Sequence, residues 1–201
     1  MTTSPLSAQL VIADAAELAD LDGFDAVTLS AVARRLGVRP PSLYSHVRDL
    51  AALRDGITAL ALGELSDIIA VAIAGRSRRE ALRGFADAHR AYATRSPGRW
   101  QSLQRRAGPA AVQSAAAQRL VALTDAVLLG YALSSVDRVH TTRLIGSTIN
   151  GFLTLERVGG FDHRAPAPEE TWSVTLDALD VMLTTWPHTP HHESSDPGAQ
   201  S

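Results

Sequence analysis

The side chains best equipped to grip a charged partner sit between Thr28 and Arg48, where Arg34, Arg35, Arg39 and Arg48 occur with no acid among them. Hydroxyl, aromatic and imidazole groups are interleaved with these cations: Thr28, Ser30, Ser42, Tyr44, Ser45 and His46. Groups of that length suit phosphate oxygens and the base edges open in a major groove. The window stands out because the chain as a whole is weakly acidic, with a formal charge of −2. Asp14, Glu17, Asp20, Asp22 and Asp25 crowd the segment just before it. This asymmetry points to a polyanion touched at one place. All nineteen basic residues are arginine, which reflects a GC-rich genome more than a mechanism.

Other chemistries find less support. The chain has no cysteine, which excludes disulfide scaffolds, thiol catalysis and cysteine-ligated zinc. It shows no glycine-rich phosphate loop, no Glu-x-x-His pair on a bundle helix, and no nucleophile spaced to meet a base. An enzyme is therefore not expected, and no cofactor is implied. His188, His191, His192 and Glu193 are metal-capable. They lie in a tail that lacks the supporting groups needed to orient ligands, so no specific metal site is expected.

The elements that must position the basic window are helical. At 201 residues, and about 150 per domain, the chain fits one compact unit or two small ones. With 45% apolar residues it can bury roughly 70% of its unfolded surface. Leu10, Val11, Ala15, Leu18 and Leu21 predict a first helix that ends at Gly23. Thr28 caps a second, which carries Leu29, Val32, Ala33 and Leu36 inward and stops at Gly37. Pro40 and Pro41 fit only a first turn, so a third helix begins there and runs through Leu43, Tyr44 and Val47. A fourth runs from Asp49 to Ala74.

Further helices follow: one capped by Ser77, a short one with Trp100 and Leu103, an alanine-rich one over 110–129, a long one over 134–158 and a last one over 169–186. Alternating strand patterns are absent, so the fold is all-α. No apolar run approaches the roughly 18–20 residues that span a bilayer, and no basic leader precedes the first helix. A cytoplasmic protein without membrane contact is expected.

Two short helices joined at Gly37, with Ala33 at their crossing and Leu36, Val38, Leu43 and Val47 between them, form a helix-turn-helix pattern. It turns Arg39, Ser42, Tyr44, Ser45 and His46 outward, and free amides at the third helix's start add possible phosphate contacts. The plainer alternative is a generic αα-corner with surface arginines. The run Leu36-Gly-Val-Arg-Pro-Pro-Ser-Leu-Tyr-Ser-His-Val47, preceded by Gly23-Phe-Asp-Ala-Val-Thr28, resembles the DNA-binding domain of the tetracycline-repressor (TetR/AcrR) family of transcriptional regulators. Ser96-Pro-Gly-Arg-Trp100 and Gly151-Phe-Leu-Thr-Leu-Glu-Arg-Val-Gly-Gly-Phe161 are similar to that family's WHG-type C-terminal domain.

The resemblance implies a helix-turn-helix DNA-binding domain over 1–50 and a helical ligand-binding and dimerisation domain over 51–186, while the composition of 187–201, without an apolar anchor, reads as a disordered tail. It implies a homodimeric regulator, by expectation a repressor, that binds double-stranded operator DNA under the control of a small-molecule effector. Carried over by position, Thr28 caps the second helix and touches phosphate, while Ser30 and Arg39 read bases or grip the backbone. Pro41, Ser42 and Tyr44 match the recognition pattern, with Tyr44 expected on a phosphate, and His46 matches the family site that touches the backbone, while Ser45 shares their outward face. The family's usual lysine at the start of the fourth helix is Leu50 here, and Arg48 is the nearest cation. Residues 1–13 contain no basic residue. These losses remove phosphate neutralisation. They keep open a helical interaction protein that has lost DNA binding.

In the C-terminal half, Phe85, His89, Tyr92, Trp100, Leu103, Leu120, Thr124 and Asn150 combine apolar walls with a few polar groups, the composition of a small-molecule site. Plain core packing is the alternative for each. Trp172, Leu176, Leu179, Leu183 and Trp186 make one apolar seam, and Ile145, Ile149, Phe152 and Leu153 a comparable stripe. Both are expected at a two-fold dimer interface rather than in one chain's core.

Overall fold

The structure, a computed structural model, describes residues 6–187. The tail reading and its histidine cluster from His188 onward lie outside them. All regular elements among the described residues are helical. Helix α1 (Ala8–Asp22) starts where Ser7 Oγ accepts from Leu10 N at 3.2 Å. A 3-10 turn (Phe24–Ala26) leads to α2 (Leu29–Arg35), capped by Thr28 Oγ1 on Ala31 N at 3.1 Å. Gly37, with φ +67°, supplies the left-handed residue that turns the chain out of α2.

The third element is shorter than the periodicity predicts. It is a 3-10 turn over Pro40–Leu43 followed by turns to Val47, not an α-helix. Pro40 and Pro41 bring no N–H groups, and Asp49 already caps the next helix by accepting from Ala52 N at 2.7 Å. So few residues cannot repay helix nucleation with α-type bonds, and the segment tightens to i+3 bonding. The expected free amides at its start are also absent: the prolines have none, and Ser42 N donates to Arg39 O at 2.9 Å.

Helix α3 (Leu50–Ile73) is followed by α4 (Arg78–Arg95), α5 (Pro97–Leu103), α6 (Pro109–Val112), α7 (Ala115–Leu128), α8 (Ser135–Arg157) and α9 (Pro168–Thr184). The alanine-rich stretch splits in two because Ser114 leaves helical geometry and caps α7, accepting from Ala117 N at 3.1 Å. By length and apolar composition α3 can cross a membrane, contrary to the expectation from sequence. Its stripe of Leu53, Ile57, Ala61, Leu65 and Ile69 is buried within the fold, packed against α1, α4, α5 and α7. This helix is the spine of two cores. Leu53 and Ile57 join Val11, Ala15, Val32, Leu43 and Val47, while Ala61, Leu65 and Ile69 join Leu82, Phe85, Leu128, Ile149 and Leu176.

The two cores are locked where α1 meets α5. Asp20 Oδ1 accepts from the backbone N–H of Gly98 and of Arg99, both at 2.9 Å, which satisfies the open amides at the start of α5. The Arg99 guanidinium pairs with Asp20 at 2.9 Å and with Glu64 of α3 at 2.8 Å, and Tyr92 donates its hydroxyl to Glu64 at 2.7 Å. So close an approach requires glycine at 98, since a Cβ there would collide with the Ala19 carbonyl of α1. Gly98→Ala is therefore expected to cost about 2–3 kcal/mol in urea unfolding. A loss of less than about 0.5 kcal/mol would show that the contact gives way freely.

Candidate nucleic-acid interface and inner cavity

The turn around Gly37 and the pair of prolines present one outward row. Leu43 and Val47 point into the first core, which leaves Arg39, Pro41, Ser42, Tyr44 and Ser45 exposed. Thr28, Ser30 and Arg34 are exposed beside them on α2, and His46 is half-buried. Tyr44, 58% exposed, is a large aromatic with no packing reason to be there. Ser45 Oγ donates to Ser42 O at 2.9 Å, which steadies the row. Every residue singled out here from sequence thus lies on this head, at its surface or, for His46, at its margin.

The charge reading needs revision. The window lacks acids in sequence but not in space: Arg35 turns back onto α1, with Nε 3.1 Å from Asp14 and Nη2 3.5 Å from Glu17. The Arg48 guanidinium is held by Asp49 at 2.8 Å, though 83% of its side chain is exposed. Leu50, at the family's lysine position, is half-buried against the first core. Arg34 and Arg39 are left with no ion-pair partner among the described residues. An exposed pair such as Arg48–Asp49 is weak and can open to meet a phosphate.

The proposed dimer residues are placed differently from the expectation. Ile145, Ile149, Phe152, Trp172, Leu176, Leu179 and Leu183 are each 7% exposed or less and belong to the second core of a single chain. Trp186 lies beyond the end of α9 and donates its indole N–H to Asp137 of the same chain at 3.1 Å. The outward face of each helix carries a second apolar stripe at similar spacing. On α8 it comprises Leu144, Thr148, Gly151, Leu155 and Val158; on α9 it comprises Val174, Ala178, Val181 and Thr185. Leu155, Val158, Val174 and Val181 are 49–75% exposed.

A cavity of about 180 Å³ lies among α4, α7 and α8. Five expected residues line it: Phe85, His89, Leu120, Thr124 and Asn150. Tyr92, Trp100 and Leu103 do not. Tyr92 is fully buried on Glu64, Trp100 is 3% exposed in the core, and Leu103 packs against that core. The sequence reading missed Thr142, Ile145, Gly146 and Ile149, of which the two isoleucines were read as interface. Polar groups are few. His89 Nδ1 bonds Phe85 O at 2.8 Å, which fixes the tautomer with Nε2 as an acceptor. Asn150 Oδ1 accepts from Gln104 at 3.2 Å, so its amide N–H groups stay available.

Two family descriptions match the chain: bacterial regulatory proteins of the tetR family over residues 11–53, and a tetracyclin repressor-like C-terminal domain over 82–179. The chain is 31% identical, over 159 residues, to the HTH-type transcriptional regulator Rv0681 of Mycobacterium tuberculosis; the match covers 78% of this chain and 73% of that protein. Among solved structures, a protein from Rhodococcus sp. RHA1 superimposes with TM-score 0.74 at 21% identity, covering 92% of this chain and 99% of the other. The Q116A variant of TetR from Acinetobacter baumannii AYE, in complex with minocycline, superimposes with TM-score 0.66 at 21% identity, covering 88% and 96%.

Burial holds the His89 imidazole below the ordinary histidine range, and its bond to Phe85 O offsets this only in part. The unfolded chain therefore takes up a proton there at higher pH than the folded one. Stability from this group is complete above about pH 6.5 and is lost as pH falls from that value through the depressed folded one. His89→Phe is expected to flatten that decline, read as urea midpoints from about pH 7 to 5. An unchanged decline would mean that the ring is not held neutral by the fold.

Proposed function

This chain belongs to the tetR family of bacterial regulatory proteins, and from that premise we propose that it is a repressor which binds operator DNA as a homodimer and is controlled by a small-molecule effector. It is a transcriptional regulator with a DNA-binding head. The observation that carries the finer reading is the exposed row Arg39–Ser42–Tyr44 on a core-anchored turn. It offers a cation, a hydroxyl and a phenol on one face, with Arg34 beside it. Tyr44 and Arg34 suit phosphates, while Arg39 and Ser42 suit base edges or backbone. Residues 1–50 act as this head and 51–186 as the sensing and pairing part, with α3 running from one into the other. The protein works beside the chromosome in the cytoplasm.

A single short reading element buries too little to select a site by itself, so pairing is part of the mechanism. The outward stripes of α8 and α9 support it, because exposed apolar rows at 4-3 spacing are what a helix-to-helix dimer contact buries. The α4–α7–α8 cavity supports effector control. At about 180 Å³ it lies below the roughly 300–1,000 Å³ of drug-sized sites, which favours a compact effector. His89 Nε2 would accept, and the Asn150 amide donate, a hydrogen bond to it. Three residues on from His89, Tyr92 of the same helix ties α4 to the Glu64–Arg99–Asp20 network. Occupancy that shifts α4 therefore biases the seat of the head, by as much as the effector prefers one seat over the other.

Selection from randomised duplexes is expected to return an inverted repeat. Tyr44→Ala should weaken binding to every duplex by roughly tenfold, the loss of one hydrogen bond to a charged group. No enriched site would favour an interaction protein instead. Leu155→Arg should convert a dimer to single chains in sedimentation analysis, while Trp186→Ala should leave the dimer intact. The reverse pattern would return the interface to the inner stripe.

A further inference from the structure

A second hollow of about 660 Å³ opens where the DNA-binding head meets the rest of the chain, and it shares no lining residue with the α4–α7–α8 cavity. One side is the start of α3 and the Phe24 turn; the other is the segment from Ser102 to Pro109. Four guanidinium groups line it, those of Arg48, Arg54, Arg105 and Arg106, against one carboxylate, Asp55. That carboxylate is already engaged, with Oδ1 accepting from Gly108 N at 3.1 Å. Arg48 is paired with Asp49, and Arg105 with Asp25.

Two cations remain without an acid. Arg54 Nη2 reaches only backbone carbonyls, Val27 O at 3.3 Å and Asp25 O at 3.5 Å. Its Nε is buried with no hydrogen-bond partner among the described residues. Arg106 has no hydrogen bond or ion pair among them at all. The Phe24 ring lies between two of the arginines, with the guanidinium carbons of Arg54 and Arg105 at 5.6 and 5.7 Å from its centroid. Leu50, Ala51 and Pro109 add apolar wall. Thr58 and Ser102, at 6% and 1% exposure, lie in the recess, so this is a hollow with depth rather than a basic strip.

We infer that this junction is a second binding site, for a small organic anion with an apolar body and a carboxylate, sulfonate or phosphate head. The head meets Arg54 and Arg106 through charge-assisted bonds, with the planar fork of arginine suited to two oxygens at once. The body rests on the apolar wall. The volume falls within the roughly 300–1,000 Å³ of small-molecule sites, whereas a DNA phosphodiester would use only the rim. Because Arg54 belongs to α3 beneath the head and Arg106 to the α5–α6 segment, one occupant joins both sides. Such a ligand acts on the seat of the head directly, without passing through the inner cavity.

The test uses the full chain without DNA and 1-anilinonaphthalene-8-sulfonate as the probe, followed by its fluorescence. One saturable site per chain is expected, displaced by inorganic phosphate. Arg106→Gln should weaken it roughly tenfold, as expected for a lost charge-assisted bond, and Arg106→Lys should restore part of that loss. Gly146→Leu serves as the control, because Gly146 lines the inner cavity and a Cβ there meets nothing within 4 Å. It should leave probe affinity unchanged. The inference is overturned if no saturable binding appears, if Arg106→Gln leaves affinity unaltered, or if Gly146→Leu removes binding. It is equally overturned if Arg106→Gln spares the probe but lowers the salt dependence of DNA binding by about one counterion, which would make the rim a phosphate contact. Since the probe is read without DNA, failure here leaves the operator reading standing.

Discussion

The Asp20 carboxylate carries more of this architecture than any other single group. One of its oxygens takes two amides at the start of α5, and the other faces the Arg99 guanidinium, which in turn holds Glu64 beneath the Tyr92 hydroxyl. These charges are mostly buried, and removing one partner leaves the others poorly compensated. The network therefore behaves as a unit. It joins α1 of the head, α3 of the spine, α4 beside the cavity and α5. Burial and the Glu64 carboxylate together push the Tyr92 hydroxyl far above its ordinary range, so it stays a proton donor at any working pH.

With this clamp in place, the division of labour among the arginines becomes clear. Arg99 and Arg35 are structural, turned toward α1 acids. Arg90 spans Glu156 of α8 and Glu169 in the first turn of α9. Arg79 and Arg83 both hold Asp177, drawing its carboxyl below the usual range. The local run of cations that looks like a DNA-binding patch in sequence is thus partly scaffold. Arg34 and Arg39 on the head and Arg54 and Arg106 at the junction are among the arginines that no acid holds in the described residues, and they mark the two places proposed for anions. A net charge of −2 is compatible with both, since what matters is which guanidinium groups lack an acid.

Much of this was legible in the chain itself. Thr28 and Asp49 announce helix starts, and Gly23 and Gly37 announce stops, because caps and left-handed turns depend on one residue's own chemistry. The exposed row from Arg39 to Tyr44 was legible for the same reason, as local spacing decides which side chains share its outer face. Half of the inner cavity was also found, through polar residues such as His89 and Asn150 that sit oddly among apolar neighbours. Thr142, Ile145, Gly146 and Ile149 were not, because an isoleucine lining a hollow has the same sequence signature as one filling a core. The tightening of the third element escaped too, as it reflects the cost of nucleating so short a helix between two prolines and the next cap.

Short-range periodicity and capping dictate helices across the described residues, their register and a head with polar groups on one face. Tertiary structure alone decided which face of α8 and α9 turns inward. Trp172, Leu176, Leu179 and Leu183 repeat at the same intervals as Val174, Ala178, Val181 and Thr185, so periodicity permits either. Burying the bulkier row removes more apolar area from water, and the slimmer one is left outside. Likewise, no local rule states that Arg35 will find Asp14 while Arg106 finds nothing. Pairing across the fold is a matter of where distant helices come to rest, and that is settled only when Gly98 lets α5 close on α1.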